Sequence, residues 1–173
     1  MPKTIISYIS VFLALVVCQA VIFNNLILFN SAVALVFLYF IVELPITLNV
    51  NYVMSLAFLI GLSVDIFQDT PGLNCLSCTI VSFLRRPIFY LYAPRDEDFA
   101  GKRLCLSSLG TSTFLKYMLS LVLLYCIIYF SCEALAYGDI LRMIIRIVSS
   151  TAYTFIVLFT IDSLTLYRHE KRL

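Results

Sequence analysis

Six apolar runs, each close to the length that crosses a bilayer, set the limits on what this chain can become. A spanning helix needs about 20 mostly apolar residues, within roughly 17 to 25. The runs cover residues 5–23, 31–48, 50–67, 71–92, 114–137 and 140–167. Only 13% of the 173 residues are charged and 62% are hydrophobic, whereas a soluble domain is about a quarter charged. No second compositional regime marks an attached soluble module. The expectation is an all-α integral membrane protein, one polytopic domain over 1–173, with about six transmembrane helices in a compact bundle. The fourth run is interrupted by Arg85, Arg86 and Pro87, so a helix there is expected either to stop or to bend at Pro87. Lys3 precedes the first run as in a signal peptide, but no small-residue cleavage site follows, which predicts an uncleaved first helix.

Basic residues give the orientation, because short cytoplasmic loops carry an excess of Lys and Arg. Lys3, the tail with Arg168, Lys171 and Arg172, and the connection of about 93–113 with Arg95, Lys102 and Arg103 all fall on one side. The turns on the other side hold neither residue type. Both termini are therefore expected in the cytoplasm. Asp96, Glu97 and Asp98 interrupt the basic connection, which reads as a topology signal and not as a nucleic-acid site.

Within this frame the stretch 61–76, GLSVDIFQDTPGLNCL, stands out. Asp65 sits in an apolar run, where a carboxylate is costly unless it is paired or functional. A turn follows at once: Asp69 and Thr70 are good N-cap types, Pro71 suits a first helical position, and Gly72 opens a new apolar run. This predicts a helical hairpin with an acid near its tip. At about 1.5 Å per residue, Asp65 lies roughly 22 Å from the start of its run, at a depth matching Arg146. Arg142 and Arg146 share a helix face, and Glu133 can join them. An outer polar cluster of Asp65, Glu133, Arg142 and Arg146 is expected. The same count brings Glu43 level with Arg85 and Arg86, a second, inner ion pair. Acids and bases matched in number and depth point to helix pairing more than to a transport path.

The residues for familiar chemistry are missing from these positions. His169 is the only histidine and lies in the charged tail, which argues against a His-based metal site, general base or serine triad. Asp65 and Asp69 are four apart, but no second acidic pair completes a metal-diphosphate site. Of the six cysteines all but Cys105 lie in apolar runs, where Cys packs as a small hydrophobe, and the Cys75/Cys78 pair has no partner motif. No metal, no cofactor and no enzymatic activity are expected.

The order of these features resembles the rod shape-determining protein MreD family, in its Bacteroidetes-type form. The resemblance spans nearly the whole chain and is sharpest at Gly61, Asp65, Pro71 and Gly72, then at Phe83, Leu84, Arg85 and Pro87. Arg86 departs from it, placing a second charge where an apolar residue or Pro is expected. The resemblance implies a multi-pass protein of the bacterial inner membrane that acts in cell elongation and lateral peptidoglycan synthesis. It implies a fold similar to the substrate-binding subunits of energy-coupling-factor transporters. The implied partners are membrane lipid, an MreC-like bitopic protein, the MreB cytoskeleton, RodA and a class B penicillin-binding transpeptidase; a homodimer is compatible with it. The function expected is a non-enzymatic scaffold binding the MreC-like partner. The alternative is a membrane subunit that captures a vitamin-type small molecule for transport.

Overall fold

Apolar runs that must satisfy their own backbone in lipid form helices, and the computed structural model is all-helical, with no strand among the described residues. It describes residues 2–23, 33–70, 72–93, 104, 110–137 and 140–170. The elements are α1 (Pro2–Cys18), continued by a π-helical turn (Gln19–Phe23), α2 (Leu38–Glu43), α3 (Val50–Gln68), α4 (Leu73–Tyr92), α5 (Thr111–Tyr137) and α6 (Ile140–Glu170). Helices α3, α5 and α6 are long and apolar enough to cross a membrane. The described helices are those of a chain compatible with a helical membrane protein. Pro71, most of the connection 93–113 and the end of the tail lie outside the described residues, as do Ser31 and Ala32.

The long helices α3 and α5 each bury one face and leave the other exposed. On α3, Val53, Ala57, Ile60, Gly61, Val64 and Asp65 are buried while Phe58, Leu59, Leu62 and Ile66 are exposed, two faces at helical spacing. On α5 the buried face runs Phe114, Tyr117, Met118, Leu121, Val122, Tyr125 and Cys126. Helix α4 packs between α3 and α5, and α6 packs on α5. The α3–α4 crossing is unusually close. A Cβ on Gly61 would lie 2.7 Å from Cys75 Cα and 2.8 Å from the Asn74 carbonyl oxygen, so this position admits no side chain without separating the helices.

The fourth expected span is met by α4, which does not stop at Pro87 but is helical through it to Tyr92. One expected span differs from the structure. The second, expected over 31–48, is not a continuous helix: Val33–Leu35 are unwound, a turn follows, and α2 holds only six residues. Hydropathy sees the same apolar composition in an extended chain as in a helix. Unwound backbone at membrane depth is tolerated only where protein groups satisfy it, and here they do. Val33 N–H donates to Ser150 Oγ (3.1 Å), Leu35 N–H to Thr154 Oγ1 (3.2 Å) and Val36 N–H to Gln19 Oε1 (2.8 Å). Gln19 Nε2 returns a bond to the Ala34 carbonyl at 2.9 Å. Val33 pairs with Ser150 and Leu35 with Thr154, one turn further along α6, so the unwound segment and α6 advance in the same direction there. Further along, the Tyr39 hydroxyl donates to Asp162 Oδ1 at 3.1 Å.

Candidate functional site

Two groups of buried polar side chains stand at the two ends of α3. At the end where α3 turns into α4, Asp69 closes α3 in the left-handed region (φ 51°), and its N–H and that of Thr70 return to the Asp65 carbonyl. Gly72 (φ 77°) then stands at the N-cap of α4. A glycine supplies the left-handed backbone at little cost but brings no capping oxygen. Asp65 supplies it from the neighbouring helix. Its Oδ1 accepts the Asn74 N–H at 3.1 Å and its Oδ2 the Cys75 N–H at 2.9 Å, the second and third amides of α4. Those are the amides an N-cap side chain normally takes, and a carboxylate there also meets the positive end of the helix dipole. Asp69 and Thr70 are thus not N-caps: one closes the preceding helix, and the other donates its hydroxyl to Asp65.

Asn74 extends the site to a third helix. Its Nδ2 group lies 2.9 Å from Asp65 Oδ1, 3.0 Å from Gln68 Oε1 and 3.1 Å from Thr70 Oγ1, and the Tyr125 hydroxyl of α5 donates to its Oδ1. Tyr125 in turn stacks on Tyr129 (centroids 6.0 Å apart) and meets Phe37 edge-on. One buried network ties α3, α4 and α5 together and holds the segment before α2 against it.

The expected outer cluster divides in two. Arg146 pairs with Glu133 and lies over the Phe130 ring, 5.5 Å from its centroid, whereas the hydrogen bonds of Asp65 go to Thr70, Asn74 and Cys75. The expectation counts side-chain cations as the only counter-charge to Asp65; a helix N-terminus is another. Arg142 is exposed, one turn before Arg146.

At the opposite end of α3 the inner pair expected between Glu43 and the two arginines is replaced by other bonds. Arg85 is 2% exposed, and its Nε donates to the Tyr117 hydroxyl at 2.8 Å. Its Nη2 has no hydrogen-bond partner. Arg86 instead donates to carbonyls of the turn after α2, Nε to Ile46 at 3.2 Å and Nη2 to Leu48 at 3.2 Å. The carbonyls of this turn are outside any helix ladder, and Arg86 supplies donors to them. The carbonyl of Glu43 accepts the N–H of Leu104, which anchors one buried residue of the long connection. Residues that sequence reasoning passes over here are Gln19, Tyr125, Ser150 and Thr154; it reads Asn74 only as a neighbour of Asp65 and Arg146 in a transport pocket, and Tyr117 only as an interfacial ring. The signal for Ser150 and Thr154 is a Ser and a Thr four apart on one face of the last run.

Chemically, the hairpin end is saturated: acid, amide and phenol are all engaged with one another. The arginine end keeps donor capacity in hand. Among the described residues no group of three His, Cys, Asp or Glu side chains is placed to hold a metal. Comparisons with protein-family models, curated proteins and solved structures find no match.

Proposed function

We propose that the chain is a non-enzymatic scaffold of the cell-elongation machinery in the bacterial inner membrane, binding an MreC-like bitopic partner through its helix surfaces. In this reading the chain crosses six times with both ends in the cytoplasm. The unwound segment with α2 counts as the second crossing, in a bundle akin to energy-coupling-factor substrate subunits. The observation that carries the proposal is the use made of Asp65. The one acid deep in α3 is spent on capping α4, which makes it architecture holding the outward faces in register. Those faces, with Phe58, Leu62 and Ile66 on α3 and Leu119, Leu123 and Ile127 on α5, are the surface on which a partner helix packs. The second reading, a small-molecule transport subunit, draws on the unwound segment at 33–35, since interrupted helices line substrate sites in transporters.

The test is co-purification from mild detergent of the tagged chain, expressed with its cell's MreC-like protein, followed by mass spectrometry of protein and small molecules. Stoichiometric capture of that protein with lipid alone supports the scaffold. A retained vitamin-like molecule or an ATPase module in its place supports transport. Asp65→Asn satisfies only one of the two amides, so it is expected to lower abundance and partner capture together. Full abundance and capture with lost wall growth would make Asp65 a working residue and sink the architectural reading.

A further inference from the structure

We propose that the arginine end of α3 is a binding site for a phosphate oxyanion, presented by the headgroup of an anionic phospholipid. The site is a small cavity with room for about one water-sized atom, about 10 Å³, lined by Ile46, Leu48, Val50, Val53, Ser82, Arg85 and Arg86. Three features on its wall call for negative charge. Arg85 is buried and its Nη2 is unpartnered. Tyr117, itself fully buried and braced edge-on by Phe89, takes Nε, so the bond that holds the guanidinium leaves Nη2 without a partner beside the cavity that Arg85 lines. The first turn of α3 forms the facing wall, and its N-cap residue Asn49 makes no side-chain capping bond. A helix N-terminus of this kind attracts anions and disfavours cations. Arg86, held at the rim by the carbonyls of Ile46 and Leu48, adds a second positive charge.

Two cations against an uncapped helix N-terminus form a like-charge arrangement that one anion would resolve. The cavity is small, about 10 Å³, which suits a group that inserts one non-bridging oxygen while the rest stays outside. A phosphodiester does this, and Leu48, Val50 and Arg86 at the mouth are only half-buried. A lipid headgroup at the end of a spanning bundle supplies that oxygen at high local concentration, anchored by chains that lie along the exposed apolar faces.

The experiment is thermal unfolding of the full chain in a neutral detergent, with added phosphatidylglycerol, phosphatidylcholine or inorganic phosphate, for the natural chain and for Arg85→Met and Val50→Glu. Phosphatidylglycerol is expected to raise the midpoint by about 5 °C beyond phosphatidylcholine at saturation. The increment should vanish in both variants. Val50→Glu keeps the test valid if Arg85→Met folds poorly, because an acid in the first turn of a helix is favourable and brings its own anion to the site. Stabilisation by inorganic phosphate alone, lost in both variants, would keep the oxyanion site but overturn the lipid source. No stabilisation by either, or an equal gain in the variants, would overturn the site and make the cavity a place for water.

Discussion

Helix N-termini lie at both ends of α3, that of α4 at one and its own at the other, and they are handled in opposite ways. The α4 N-terminus has a glycine at its cap and receives a carboxylate from Asp65, whose two oxygens take two amides. The α3 N-terminus also lacks a side-chain cap, yet its neighbours are Arg85 and Arg86. One end is a closed account of donors and acceptors and the other is open by one anion. The difference teaches that an ionisable residue at membrane depth has to be read with the nearest helix terminus before it is read with the nearest opposite charge. The largest test of the comparison is Asp65→Ala. It strands two buried amides and Asn74, so the chain is expected to lose about 3 kcal/mol of stability, measured by equilibrium unfolding in mixed micelles. A loss below about 1 kcal/mol would mean that the cap is dispensable.

Gly61→Ala probes the same end through packing. The added methyl would meet the backbone of Asn74 and Cys75 inside 3 Å, and backbone cannot step aside as a flexible side chain can. The expected loss is about 2 kcal/mol. Because the displaced residues carry the amides that Asp65 holds, the double variant Gly61→Ala, Asp65→Ala should lose less than the two single losses added together. Strict additivity would show that crossing distance and cap are independent.

Much of this was legible before any coordinates. Apolar length located α3, α4, α5 and α6 within a few residues of their ends, because burial in lipid leaves the backbone few choices. The cost of Asp65 was legible too, and so was a helix start just beyond it. Its partner was not, for a helix N-terminus carries partial charge without any charged residue to mark it. The unwound approach to α2 was hidden for a related reason. Its partners, Gln19, Ser150 and Thr154, are distant in sequence and unremarkable singly, and only folding brings their oxygens to the amides of 33–36. The arginine end misled for the reverse reason. Two cations near Glu43 invited an ion pair, while the actual acceptors were a phenol and three carbonyl groups, which are uncharged.

Arg85→Met sharpens the contrast from the other side. Removing a buried charge that is incompletely paired relieves a desolvation cost, while Tyr117 loses the donor to its oxygen. The two effects oppose each other, so stability in neutral detergent without added lipid is expected to stay within about 1 kcal/mol of the natural chain. A loss comparable to that of Asp65→Ala would mean that Arg85 is as fully satisfied as the acid, and the two ends of α3 would no longer differ in kind.

The smallest expected effect belongs to Glu133→Gln, and it separates two accounts of the hairpin end. Glu133 and Arg146 are the ion pair that depth counting foresaw, and their side chains remain 22% and 30% exposed. Partly exposed pairs contribute little, and the glutamine amide oxygen can still accept from Arg146, which also keeps its contact with the Phe130 ring. The expected loss is under about 0.5 kcal/mol, near the limit of an unfolding titration, and it should shrink further at high salt. If that loss instead rivalled Asp65→Ala, charge pairing between α5 and α6 would be what holds this end, and the helix cap would be secondary. With the loss small, the acid without a basic partner matters more than the acid that has one, because only the former closes a buried helix terminus.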